Sequence, residues 1–87
     1  MAATDKDTAE AYRELVRYVV ESLLGDDVDF NVEADEGDSQ LDIKIFTPDD
    51  VRGRVIGRGG RIARAMRSMV TAADIGTGKQ VTVDIVD

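Results

Sequence analysis

A two-layer α+β domain, with elements in the order α-β-β-α-α-β, is the fold class that the sequence predicts. Three observations carry that prediction. Apolar residues recur with helical period over positions 12–23, three short segments alternate apolar with polar residues, and glycine clusters at 57–60 and 76–78 cut the second half into short pieces. A chain of 87 residues suffices for one domain, expected to fill residues 1–87 with a flexible N-terminus over about residues 1–7.

Tyr12, Leu15, Val16, Val19, Val20 and Leu23 fall on one face of a helix predicted from about residue 6 to residue 24. Thr4 or Thr8 can cap its start, and Gly25 stands where a left-handed residue ends a helix. Val28, Phe30, Val32 and Ala34 alternate with polar neighbours and predict a strand. Turn residues 35–38 follow, then Leu41, Ile43 and Ile45 predict the second arm of a hairpin. Phe46 falls on the otherwise polar face, which marks it as a packing or dimer contact. Thr47 as N-cap, Pro48 at the first helical position and the acids Asp49 and Asp50 predict a short helix, interrupted at Gly57. A third helix is predicted from about Gly60 to Ala73, and Val81, Val83 and Ile85 alternate as a final strand. With all helices on one face of three strands, two layers result.

The chain has no His and no Cys. That removes the usual zinc sites, a Cys nucleophile, a Ser–His triad and any disulfide framework. No cofactor is expected, nor a signal peptide or a membrane-spanning segment, and the expected compartment is the cytoplasm.

The net charge of −7 hides a sharp asymmetry. Residues 1–50 hold 15 acids against 4 bases, residues 51–73 hold six Arg and no acid, and residues 74–87 hold three acids and one Lys. Such a local patch steers polyanions within a Debye length of about 10 Å whatever the total charge. On a wheel with Arg61 at zero and about 100° per residue, Ile62, Met66, Met69 and Ala73 fall at about 80–140°, while Arg64 and Arg67 fall near −60° and −120°. One face of the third helix should pack on the sheet, with the two methionines as core filler. The other presents guanidinium groups, and Arg54 and Arg58 extend that surface to the helix N-terminus. A helix N-terminus offers unpaired amides and a partial positive charge, and glycine lets a backbone approach closely. Gly57-Arg58-Gly59-Gly60 between two short helices, with Val55-Ile56 before it and Arg61-Ile62 after it, therefore reads as a clamp for a sugar-phosphate backbone.

The run VRGRVIGRGGRIARAMR at residues 51–67 resembles the core of a KH domain, with its V-I-G-x-x-G-x-x-I signature. The element order is similar to the prokaryotic, type II arrangement, and the resemblance extends from the first helix to Asp87, as in small stand-alone bacterial members. It implies single-stranded RNA as partner, with about four nucleotides in the groove beside the glycine loop. Gly57, Arg58, Gly59 and Gly60 are implied to meet the RNA backbone with Arg54, Arg61 and Arg64, and Val55, Ile56 and Ile62 to form an apolar floor for bases. It further implies a post-transcriptional regulator or RNA chaperone without catalysis, a homodimer, and pairing with a larger KH protein of the Jag type that acts in cell-envelope control. Gly59 departs from relatives that carry Lys or Gln there, so this loop should be more flexible and less charged.

Other readings fit less well. A protein-interaction module with vestigial RNA contact is the alternative favoured by the acidic majority and by Gly59. A phosphotransfer enzyme lacks its parts: around Gly76-Thr77-Gly78-Lys79 the P-loop pattern fails at Ala73 and at Gln80. The acids Asp26, Asp27, Asp29, Glu33, Asp35, Glu36 and Asp38 lack calcium-loop spacing and read as a solvated edge. Tyr12, Tyr18, Phe30 and Phe46 are too scattered for an aromatic stacking platform.

Overall fold

The computed structural model describes residues 5–73 and 78–86. A 20-residue helix, α1 (Asp5–Leu24), leads into the hairpin β1 (Asn31–Glu36) and β2 (Gln40–Phe46). A 3-10 turn (Asp49–Val51) and the five-residue α2 (Arg52–Ile56) follow, then a second 3-10 turn (Arg58–Gly60), α3 (Arg61–Ala73) and β3 (Gln80–Val86). The sheet order is β1-β2-β3, antiparallel between β1 and β2 and parallel between β2 and β3. A parallel partner requires a crossover, and α2 and α3 provide it. This is the predicted α+β architecture.

Tyr12, Val16, Val20 and Leu24 recur every fourth residue along α1 and are buried against Val32, Leu41, Ile43, Ile45 and Val83 of the sheet. Val16, Val20, Leu41, Ile43 and Ile45 are fully buried, each worth about 1.5–3 kcal/mol relative to exposure. The helix ends as predicted: Gly25 takes φ +83° and donates its amide to the Glu21 carbonyl at 2.8 Å. Its start differs. Thr8 is buried inside the helix instead of capping it, and Thr4 lies outside the described residues, as do Gly76 and Thr77.

The first strand begins three residues later than the alternation suggests. Asn31 pairs with Phe46, the last residue of β2. Residues before Asn31 would face Thr47 and Pro48, where proline has no amide to continue the ladder. Val28 and Phe30 still pack against the core, and the Arg17 guanidinium lies 5.3 Å from the Phe30 ring centre. Asp35 and Glu36, read as turn, belong to β1, and residues 37–39 make the turn, closed by a 2.7 Å bond from the Gly37 amide to the Gln40 carbonyl.

Thr47 does not cap the next element. Its Oγ1 is buried without a hydrogen-bond partner, and Pro48, in extended geometry, precedes the 3-10 turn instead of starting a helix. The third helix is also rotated from its predicted setting. Ala63, Met66 and Val70 are its buried residues, while Ile62 and Met69 are half-buried. Val70 and Ala63 shift the buried stripe by about 60° on the wheel. Arg67 is thereby carried to the margin of that stripe, where Nε donates to the Val83 carbonyl of β3 at 3.1 Å. At the opposite edge of the sheet, Nε of Arg13 donates to the Val32 carbonyl of β1 at 2.8 Å. An arginine from a helix thus occupies a carbonyl on each outer strand, which blunts edge-to-edge pairing.

Candidate nucleic-acid interface

The site is the junction between α2 and α3. Gly57 ends α2 at φ +79° and donates its amide to the Gly53 carbonyl at 2.9 Å. The first turn of α3 sits directly on it: a Cβ at Gly57 would stand 2.6 Å from Ile62 Cγ1 and 2.8 Å from the Ile62 amide nitrogen. No side chain fits there, which is the physical requirement for the first glycine. Gly59 and Gly60 take φ +64° and +76°, a region that glycine enters without steric cost. The Gly60 amide donates to the Gly57 carbonyl at 3.0 Å, and the Arg61 amide closes on the Arg58 carbonyl. These bonds use the amides of Gly57, Gly60 and Arg61, so those of Arg58 and Gly59 are the ones left to meet a ligand.

Charge surrounds these amides. Arg54, Arg58 and Arg61 are exposed and make no ion pair or hydrogen bond among the described residues. Arg52 is spent differently, with Nη2 bound to Asp49 at 2.6 Å and its side chain only 18% exposed. Arg64 bends back over the loop and donates from Nη1 to the Gly59 carbonyl at 2.8 Å. Arg64 and Arg67 therefore hold main-chain carbonyls, while the three arginines nearest the loop amides point to solvent.

The expected apolar floor needs one correction. Val55 is fully buried in the core and cannot touch a base. Of two consecutive apolar residues on a short helix, only one faces the interior. The half-buried Ile56 and Ile62 remain as the flanks of the loop. Phe46 is half-buried and lies with Phe30 and Pro48 along one shallow surface. Sequence reasoning missed the bond from Arg64 to the loop, because contacts between a helix and the turn before it leave no periodic signature. No group of three or more His, Cys, Asp or Glu among the described residues is placed to hold a metal ion, and no described helix is long and apolar enough to cross a membrane.

Comparison with known proteins identifies the family and the fold. The family described as "KhpA/KhpB, KH domain" matches residues 13–85. The RNA-binding protein KhpA of Clostridium perfringens is 41% identical over 74 residues, covering 85% of this chain and 99% of its own. The protein of that name from Borreliella burgdorferi is 38% identical over 76 residues, covering 85% and 90%. The one from Bacillus subtilis is 30% identical over 80 residues, covering 92% and 99%. Among solved structures, Era in complex with MgGDPNP and nucleotides 1506–1542 of 16S ribosomal RNA superposes with a TM-score of 0.51 at 20% identity. The match covers 86% of this chain and 30% of the Era chain, and it speaks for the fold alone. With element order, glycine loop and a match over residues 13–85 in accord, the chain belongs to the KhpA/KhpB family of KH domains, a non-enzymatic family.

Proposed function

We propose that this chain binds single-stranded RNA through the 57–60 loop and the arginines around it, as a post-transcriptional regulator or RNA chaperone. One observation carries the reading: Arg54, Arg58 and Arg61 are exposed and unpaired beside two free amides, in a segment with no acid. Phosphates are held by the Arg58 and Gly59 amides and by those side chains, and unstacked bases rest against Ile56 and Ile62. The names of the relatives support RNA as the ligand. One small site gathers little area, so affinity for a single domain is modest. A homodimer, or a heteromer with a larger Jag-type KH protein in the cytoplasm, raises it through effective concentration. The polar solvent face of the sheet, broken by Phe46, is a candidate surface for such pairing.

Salt titration with a single-stranded oligoribonucleotide tests this. Three neutralised phosphates give a log–log slope of about −2, from −0.7 per phosphate. Replacing Arg58 and Gly59 together by Asp should weaken binding more than tenfold while the melting temperature falls by only a few degrees, the cost of a side chain at the positive φ of Gly59. A flat salt response, or full binding by that variant, would favour the protein-interaction reading.

A further inference from the structure

We infer that Arg64 is a positioning residue, which shapes the glycine loop from behind and does not itself touch the RNA. The inference rests on the RNA-binding reading and assigns the side chain a different task from its arginine neighbours. Gly59 is the least supported residue of the loop. It has φ +64° and ψ +20°, and nothing lies within 4 Å of where its Cβ would be, so no packing restrains it. The bond from Arg64 Nη1 to the Gly59 carbonyl, at 2.8 Å, is the side-chain hydrogen bond made to this loop among the described residues. The same Nη1 stands 3.3 Å from the place a Gly60 Cβ would take, so the guanidinium lies across both glycines. Arg64 is well founded for this purpose, because its neighbour Ala63 and Met66 on the next turn are buried.

Two consequences follow from that contact. A flip of the peptide between Gly59 and Gly60 would swing a carbonyl toward an incoming phosphate and present negative charge to it. The Gly60 amide, on the same peptide, already opposes that flip through its bond to the Gly57 carbonyl, and the charge-assisted bond from Arg64 adds a second hold that keeps this oxygen on the side of α3. It also removes freedom from a segment in which three of four residues are glycine. The ordering cost is then met during folding instead of during binding. A chain with Gly59 in the loop has particular use for such a restraint.

The test compares the full chain with R64M, which keeps the aliphatic stem and loses the donor and the charge. In the free protein, ¹⁵N relaxation should show lower order parameters at Gly59 and Gly60 in R64M. Binding to a single-stranded oligoribonucleotide should weaken about three- to tenfold. The log–log salt slope should match that of the parent, since no phosphate contact is lost. In a G59N background, where asparagine tolerates the left-handed conformation and stiffens the loop, R64M should cost less than it does alone. A slope smaller in magnitude by about 0.7 marks a direct phosphate contact and overturns the assignment. Unchanged order parameters overturn it as well, as does an equal cost in both backgrounds. A parent chain that binds no RNA at all overturns the proposed function itself, an outcome distinct from these.

Discussion

At the scale of single residues, the glycines of the loop are not equivalent. Gly57 combines φ +79° with a collision between any Cβ and the Ile62 main chain, whereas Gly59 has φ +64° and open space. Gly57→Ala should therefore destabilise the fold by about 2–3 kcal/mol, and Gly59→Ala by about 1 kcal/mol, as read by urea unfolding. Asp42 offers a second residue-level test. Its carboxylate accepts hydrogen bonds from the Thr82 hydroxyl and, at 2.7 Å, from the Gln40 amide, with Lys44 nearby, and these hold its pKa below the usual aspartate range. A depressed pKa favours the ionised form in the folded state. Its stabilisation is present above the unfolded value and is lost as pH falls below about 4. Thr82→Val should make the acid limb of a pH–stability profile shallower. Glycine placement was legible because the requirement is written in the residue type. The burial of Val55 was not, since adjacent Val55 and Ile56 are equally apolar and only the seating of α2 on the core distinguishes them.

Among the elements, α2 carries an avoidable weakness. Gly53 is an exposed residue inside a five-residue helix, with nothing within 4 Å of a would-be Cβ and no positive φ. Gly53→Ala should raise stability by about 0.5–1 kcal/mol through helix propensity and a less flexible unfolded chain. A thermal melt decides it, and a lower midpoint would mean that the site is more crowded than the geometry shows. The order of the elements was readable from periodicity and punctuation, while their borders depended on partners that a linear pattern does not display. Asn31 opens β1 because β2 ends at Phe46, and Arg67 reaches β3 because Val70, absent from the predicted stripe, draws α3 into a different rotation.

For the whole molecule, the uneven distribution of charge is the dominant property. Fifteen acids in residues 1–50 face only four bases, so the first half repels itself, and added salt relieves that repulsion. The same salt screens the arginines of residues 51–73 from phosphates. Stability and ligand affinity should move in opposite directions between about 50 and 300 mM salt, with the melting temperature rising as RNA binding falls. Parallel titrations by thermal melting and by fluorescence anisotropy would reveal it. A melting temperature that falls with salt would show that ion pairs such as Lys79 with Glu36, 2.6 Å apart, outweigh the repulsion.

The parallel seating of β3 beside β2 has a temporal meaning. Thr82 and its partner Asp42 are 40 positions apart in sequence, whereas the two arms of the hairpin are near neighbours. During synthesis the long first helix and the hairpin emerge and can associate early, and α2 can seat on α1, but α3 gains its main neighbour only once β3 arrives. Until β3 pairs with β2, the 57–60 loop stands on an incompletely seated α3, so the proposed anion site takes shape with the parallel strand pair.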